Sequence, residues 1–161
     1  MTQQAAGAFD VKMLPQPAEP EAAGTTIGRM LLDKKYHGPL DATGKGQMLA
    51  MRTAVDGSAG YVAMELVEGK LDGRSGSFVL QHSGTMNRGI TLLVLGVVPD
   101  SGTGELVGLS GKMEIVNTGG KHGYSAPVSG ATHIAHDHSH DHLFKARTKL
   151  ICLHNYGGTP F

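Results

Sequence analysis

Apolar and polar residues alternate with a period of two along much of this chain, in short runs separated by turns rich in glycine or proline. The first run is Ala8–Met13, and such alternation predicts a half-buried β-strand. Further strands are predicted at Thr26–His37, Asp41–Thr53, Gly60–Leu71, Ser75–Thr85, Gly89–Val98, Glu105–Gly108 and Lys112–Asn117. About eight short strands with closely spaced turns predict an all-β sandwich or antiparallel barrel.

Turns and one unusual strand refine this picture. The segment 14–24 contains three prolines and is predicted to be a loop, because proline has no N–H to donate within a sheet. Asp72-Gly73 favours a tight hairpin turn. The almost continuously apolar run Ile90–Val98 predicts burial on both faces, one towards the barrel interior and the other against a covering segment or another subunit. We therefore expect a homo-oligomer.

The composition fits one domain and excludes several classes of partner. A chain of 161 residues is large enough to bury a core without disulfides or a metal. Its 14 basic and 14 acidic residues cancel, so no basic surface for a nucleic acid or an anionic membrane is expected. The single cysteine, the absence of a signal-peptide pattern and the absence of a long apolar run predict a cytoplasmic protein.

Two glycine-rich motifs carry a family resemblance. They read GKLDGRSGSFVLQHSGT from Gly69 to Thr85 and GTGELVGLSGK from Gly102 to Lys112. With them the chain resembles an uncharacterised, largely bacterial family (domain of unknown function 3224). That family is similar in fold to allene oxide cyclase, so the resemblance implies a single antiparallel up-and-down barrel of about eight strands, to which this chain adds an atypical C-terminal tail. It implies no activity, because a shared fold does not establish a function.

The C-terminal part of the chain departs from the family's pattern. Family members end soon after the segment that corresponds here to Lys121–Tyr124, with a strand that closes the barrel. We predict a β-barrel domain over residues 5–124 and a divergent, histidine-rich segment over residues 125–161. Either Leu150–Asn155 supplies the closing strand or closure is incomplete, and a frame-shifted C-terminus would give the same pattern.

Glu65 and His82 are the candidate catalytic residues. Alternation along Ser75–Thr85 puts Phe78, Leu80 and His82 on one face of a strand. If that face lines the barrel, the carboxylate and the imidazole have perturbed pKa values and could act as an acid/base pair or bind the polar end of a ligand. The alternative is a structural pair that is hydrogen-bonded to a turn or a neighbouring strand.

Four further residues are candidate substrate contacts. Phe78 and Leu80 would present apolar surface, and Tyr61 shares the parity of the candidate carboxylate on its strand. Arg74 directly follows the hairpin dipeptide. It is therefore either a substrate contact or an anchor of the hairpin through backbone carbonyls or Glu68.

A histidine-rich tract is the sharpest chemical cluster in the sequence. Its alternating histidines are His136, His138, His140 and His142. Imidazole suits zinc, copper and nickel, but structural zinc sites take their ligands from separated, rigid elements. We expect weak, adventitious metal binding there and no cofactor. Cys152 and His154 are possible extra ligands, although a lone cysteine in an apolar run is typical of a small core residue.

Two functions fit these patterns. The first is a barrel that binds a small apolar molecule, with isomerase or cyclase chemistry through Glu65 and His82 as its enzymatic form. The second is a non-enzymatic structural or interaction barrel whose lumen is filled by side chains. The side chains that would fill such a lumen are Met48, Met51, Met64, Phe78 and Leu80.

Overall fold

The computed structural model of the protein describes residues 3–118 and 120–128. Eight β-strands and two short 3-10 helices lie within these residues. The strands are β1 Gln3–Gln16, β2 Gly28–Tyr36, β3 Leu40–Arg52, β4 Ala59–Leu71, β5 Arg74–Asn87, β6 Ile90–Val97, β7 Lys112–Thr118 and β8 Lys121–Val128. The 3-10 helices are Pro20–Ala22 and Gly104–Leu106.

The strands form a closed barrel in chain order. Each strand pairs antiparallel with the next, and β1 pairs antiparallel with β8. The predicted fold class is confirmed: an all-β, single antiparallel up-and-down barrel of eight strands. The particular likeness to allene oxide cyclase stays a prediction.

The barrel is closed by β8, in which Tyr124 lies opposite Gly7 of β1. Both alternatives for closure were therefore wrong, since the barrel is neither open nor dependent on Leu150–Asn155 for its last strand. Residues 125–128 lack a strong apolar alternation, but backbone pairing with β1 needs none. The division into domains at residue 124 stays a prediction, and residues 129–161 lie outside the described residues.

Part of the segment 14–24 is a strand instead of the predicted loop, because β1 continues to Gln16. Pro15 lies opposite Met30 of β2. On its other side β1 pairs with β8 only through residues 3–8. Pro15 therefore has a described strand on one side only. At such an edge position a sheet tolerates a residue that lacks an N–H group.

The predicted strand Glu105–Gly108 is wrong, because residues 104–106 form a 3-10 helix in a loop that pairs with β5 through side chains. Three N–H groups of β5 donate to loop oxygens: Val79 to Ser101 Oγ (3.1 Å), Ser77 to Thr103 Oγ1 (3.0 Å) and Ser75 to Glu105 Oε2 (2.7 Å). Every second loop residue thus supplies an acceptor that a neighbouring strand would supply from its backbone. The loop covers the part of β5 that β6 does not reach, since β6 pairs with β5 only from Leu80 to Asn87.

Two apolar clusters fill the barrel interior, one towards each end. The first is centred on Tyr36, Leu40, Val67, Phe78, Leu80 and Tyr124. The second is rich in methionine and contains Met30, Leu32, Met48, Tyr61, Ala63 and Met86. Three buried polar residues, Lys34, Glu65 and His82, lie on the same interior faces as these clusters.

The outer face of β6 is exposed in this chain. Ile90 and Leu92 are 76% and 66% exposed, so no described segment covers this face, and its predicted burial against a covering segment or another subunit stays a prediction. The alternation of exposed and inward residues shows that β6 has one face to the lumen, like its neighbours. The homo-oligomer stays a prediction.

Among the described residues no helix has the length and apolar character to cross a membrane, and the cytoplasmic location stays a prediction.

Candidate functional site

Three polar side chains surround one carboxylate, that of Glu65, inside the barrel. Lys34 Nζ lies 2.8 Å from Glu65 Oε2, and Tyr36 donates to Glu65 Oε1 over 2.6 Å. His82 Nε2 lies 2.9 Å from Glu65 Oε2. We call these four residues the lumen cluster. Glu65 has no exposed surface, and Lys34 and His82 are almost fully buried.

Strand alternation explains how the cluster forms. On β4 the residues at odd positions from Ala59 to Val67 are buried and those between them are not, so Glu65 points inward with Tyr61 and Ala63. On β2 Lys34 stands between Leu32 and Tyr36, which share its parity and are buried. The sheet register then brings these strands together around one point of the lumen.

Glycines on β3 provide the space for the carboxylate. A Cβ atom on Gly44 would overlap Glu65 Oε1 and come within 3.1 Å of the Tyr36 ring. A Cβ atom on Gly46 would overlap the Met64 carbonyl oxygen and come within 3.2 Å of the Glu65 Cβ. Gly46 also lies directly opposite Glu65 in the sheet. The glycines therefore allow a buried carboxylate to sit against the β3 backbone.

The partners of Glu65 keep it ionised. Burial alone would raise the pKa of Glu65, but the His82 ring and the Lys34 ammonium group together outweigh burial and lower that pKa from 4.5 to about 2. The carboxylate is thus a hydrogen-bond acceptor and an anion at neutral pH. A proton-donating role for Glu65 is disfavoured, because a general acid needs a pKa near the working pH.

Burial shifts the neighbours of Glu65 towards their neutral forms. Desolvation lowers the pKa of His82, and the Glu65 carboxylate offsets this shift only in part. Desolvation also raises the pKa of Tyr36 well above its usual value, reinforced by the negative charge of Glu65. At neutral pH the cluster therefore holds a neutral imidazole and a neutral phenol beside one carboxylate.

The His82 imidazole has unused hydrogen-bonding capacity. Its Nε2 atom is close to Glu65 Oε2, but the alignment is not that of a hydrogen bond, and this buried nitrogen has no hydrogen-bond partner in the part of the chain that the structure describes. We regard the contact as an electrostatic one, because the two atoms are close enough for a hydrogen bond but their angle does not allow one. Proximity to a carboxylate places the ring proton on Nε2.

Aromatic rings surround the lumen cluster. Lys34 Nζ lies 5.1 Å from the centre of the Phe9 ring, within the range of a cation–π interaction. The Tyr61 ring lies edge-on to His82 at 6.3 Å. A Cβ atom on Gly84 would overlap the Tyr61 ring, so this glycine makes room for it.

A small apolar cavity of about 30 Å³ lies in the first apolar cluster. Its lining includes Leu40, Leu71, Phe78, Leu80, Leu109 and Tyr124. Such a volume holds one or a few water-sized groups. Because Leu80 is also the cross-strand partner of Glu65, the cavity adjoins the strands that carry the lumen cluster.

The structure brings some of the predicted site residues together and separates others. Glu65, His82 and Tyr61 meet in the lumen, and Phe78 and Leu80 are buried beside the cavity. Arg74 lies opposite Leu71 at the β4–β5 turn, and its side chain makes no hydrogen bond or ion pair with any described residue.

Of the side chains predicted to fill the lumen, some point into it and others do not. Met48, Phe78 and Leu80 are buried in the interior, Met51 is half-buried, and Met64 points outward with 48% of its surface exposed.

The predicted metal-binding histidines lie outside the described residues. His136, His138, His140 and His142 belong to the segment 129–161. In residues 3–118 and 120–128 no group of three or more histidine, cysteine, aspartate or glutamate side chains is arranged to hold a metal ion. The weak binding at the tract stays a prediction.

Sequence reasoning missed Lys34 and Tyr36. The pair Lys34-Lys35 reads as a charged, solvated segment, yet only Lys35 is exposed. The available signal was parity, since Lys34 is two residues from both Leu32 and Tyr36. Gly44 and Gly46 were equally informative, because two glycines two residues apart on one face of a strand leave room for a large group opposite.

The comparisons with known proteins identify a family and a solved structure whose function is unknown. The chain matches the family described as "Protein of unknown function (DUF3224)" over residues 5–127. It is similar to a solved structure of a protein with unknown function from the DUF3224 family of Shewanella oneidensis MR-1, with 48% sequence identity and a TM-score of 0.77. The similarity covers 83% of this chain and 100% of that one. No curated protein matches the chain.

Proposed function

The chain belongs to the DUF3224 family of proteins of unknown function, and for this member we propose that the barrel binds a small, largely apolar molecule whose one polar group contacts the lumen cluster. The observation that carries the proposal is the fully buried Glu65 carboxylate with its three polar neighbours. Burying a lysine–carboxylate pair is no efficient way to stabilise a core, because apolar residues of similar volume often do as well or better. Such a group in an otherwise apolar lumen is typical of a binding site.

The methionine-rich half of the lumen supports an adaptable pocket. Met30, Met48 and Met86 are buried there beside Tyr61. Methionine side chains are unbranched and flexible, so they can change rotamer around ligands of different shapes. The pocket would therefore open around its ligand in addition to the small cavity already present.

Isomerase or cyclase chemistry is the enzymatic form of this proposal. In it, the neutral imidazole of His82 would accept a proton from the ligand, and the Lys34 ammonium group, which has N–H groups beyond the one directed at Glu65, would donate a hydrogen bond to the oxygen that gains charge. Glu65 would hold both groups in place and stabilise the imidazolium that forms. This assigns the base to His82 and an electrostatic role to Glu65.

Native mass spectrometry of the protein purified from its own host tests the proposal. We expect a retained small molecule that is released on denaturation and absent from a Lys34→Met/Glu65→Gln double variant, which removes the buried charges together. The control is Met64→Leu on the outer face, which should keep the molecule. Wild-type protein with no retained molecule, and with no response of its lumen methionines to added apolar compounds, would contradict the proposal.

A structural barrel is the second candidate. It is favoured by the small volume of the apolar cavity, about 30 Å³, and by the burial of Met48, Phe78 and Leu80 in the lumen. In that case the lumen cluster would serve only to specify the packing of β2, β4 and β5. The double variant would then fold stably and lose no bound molecule.

A further inference from the structure

Asn117 and His122 form a second polar surface of the lumen. They are cross-strand neighbours on β7 and β8. Asn117 shares the inward parity of Met113 and Ile115, and His122 shares that of Tyr124. Neither residue belongs to the lumen cluster, and sequence reasoning assigned no role to either.

The Asn117 amide nitrogen is buried and has no hydrogen-bond partner among residues 3–118 and 120–128. Leaving a buried donor without an acceptor is unfavourable, and native proteins do so at few positions. On β7, a leucine would fill the same position without this penalty. The unused donor therefore points to an acceptor that the described residues do not supply, and a bound molecule is one that would.

Phe9 connects this surface with the lumen cluster. The His122 ring centre lies 5.3 Å from the Phe9 ring centre, and Lys34 Nζ lies 5.1 Å from the same ring centre. The two polar surfaces are thus separated by one aromatic ring. A molecule of a few carbon atoms that packs on Phe9 can reach both.

The charges of the lumen cluster restrict the kind of molecule. Lys34 and Glu65 form an ion pair, so the positive and negative charges are already matched. A charged ligand would be buried without a counter-ion, which is strongly unfavourable. The available group is instead a hydrogen-bond donor, the Asn117 amide, because the N–H of His82 lies against the Glu65 carboxylate.

We infer that Asn117 is a ligand-binding residue and that the ligand is a small neutral carbonyl compound, whose oxygen accepts a hydrogen bond from the Asn117 amide. This inference rests on the proposed function and names the ligand class for it. His122 is a positioning residue that packs on Phe9 and holds this side of the lumen in place. The ligand's hydrocarbon part contacts Phe9 and the methionine-rich cluster.

Two probes of nearly the same shape test the inference: cyclohexanone, which has the acceptor oxygen, and methylenecyclohexane, which lacks it. Binding is followed by NMR of methionine methyl groups labelled with carbon-13. Met30, Met48 and Met86 report on the lumen, and the outward Met64 is the internal control. We expect cyclohexanone to shift the lumen signals of the wild type and leave Met64 unchanged.

Asn117→Leu should weaken cyclohexanone binding about fivefold, the effect of one net hydrogen bond, and leave methylenecyclohexane binding unchanged. Its melting temperature should not fall, because the substitution removes an unsatisfied donor. His122→Phe keeps a ring against Phe9 and should bind both probes like the wild type. Equal effects of Asn117→Leu on both probes, or unchanged cyclohexanone binding, would overturn the inference. If neither probe shifts the wild-type lumen signals, the proposed function fails as well.

Discussion

Tyr36 donates a 2.6 Å hydrogen bond to Glu65 across the barrel lumen, from β2 to β4. The same phenol ring packs edge-on against Tyr124 at 5.7 Å. Tyr124 in turn accepts the N–H of Leu40 and donates to the carbonyl of His37 at the start of β3. The buried carboxylate is thus joined through two tyrosines to the turn between β2 and β3.

Lys34→Met should destabilise the protein strongly, because it leaves the Glu65 carboxylate buried without its counter-charge. We expect a loss of about 3–5 kcal/mol in the free energy of unfolding, measured with urea at pH 7. The double variant Lys34→Met/Glu65→Gln should recover most of it. The matched control is Lys35→Met, which breaks an exposed pair with Asp41 and should change stability by less than about 1 kcal/mol. Equal losses for Lys34→Met and Lys35→Met would contradict a buried ion pair.

Gly44→Ala should destabilise the barrel, because the new methyl group overlaps Glu65 Oε1. Overpacking of this kind costs about 1–3 kcal/mol. Gly60→Ala on β4 is the control, since its methyl group would meet only the Gly84 carbonyl oxygen at 3.8 Å. Thermal unfolding of the two variants gives the comparison, and a Gly44→Ala variant as stable as Gly60→Ala would disprove the close fit around Glu65.

Acid should unfold the protein through the lumen cluster. The pKa of Glu65 is lowered from 4.5 to about 2, so the unfolded chain binds a proton at this site before the folded chain does. Its stabilising effect is complete above pH 4.5 and is lost as the pH falls towards 2, a difference of about 3 kcal/mol. The pKa of His82 is also lowered, from 6.5, so its protonation destabilises the folded protein in the same direction. This loss of stability begins first, as the pH falls below 6.5.

Urea unfolding at pH 7, 5 and 3.5 measures this dependence. His82→Gln should flatten the profile between pH 7 and 5, and Lys34→Met/Glu65→Gln should flatten it below 4.5. Asp41→Asn is the control, because the Asp41 carboxylate is exposed beside Lys35 and should leave the profile almost unchanged. Stability that is constant from pH 7 to 3.5 in the wild type would refute the ionised, buried cluster.

Tyr124→Phe should loosen the β2–β3 turn. The hydroxyl accepts the Leu40 N–H over 2.9 Å and donates to the His37 carbonyl over 3.0 Å. Removing it leaves a buried donor unsatisfied, at a cost of about 1–3 kcal/mol. Hydrogen exchange should become faster at the Leu40 amide and stay unchanged at Ala50, near the far end of β3. Uniform acceleration would indicate a global effect instead.

The strands with one solvent-exposed face and one buried face were predictable from the sequence. Burial on one side imprints a period of two on β3, β4 and β5, and this parity also turns Glu65 and His82 towards the same interior. Local patterns fail where an element depends on its partner. Residues 125–128 of β8 show little apolar alternation and pair with β1 mainly through their backbone. Pro15 is acceptable only because β8 ends its pairing with β1 earlier.

The site was predictable only in part, because its remaining members depend on register. Lys34 is next to Lys35 in sequence, and a lysine ordinarily indicates solvent. Only the pairing of β2 with β3, and of β3 with β4, brings Lys34 to Glu65 past the space at Gly44. Asn117 carries no signal in the sequence, since its significance is that no described residue of the folded protein pairs with its amide nitrogen.

The side-chain ladder formed by Ser101, Thr103 and Glu105 makes the loop before β7 sensitive to its length but tolerant of exchanges between residues that keep an acceptor oxygen at these positions. From one acceptor to the next, the loop advances by two residues and the N–H donor on β5 moves back by two residues. The spacing of the acceptors therefore has to match the spacing of the donors. Inserting or deleting one residue after Pro99 would move all three acceptors out of step at once. Exchanges among serine, threonine and asparagine would keep the step, so natural variants of this loop should differ in residue type far more often than in length.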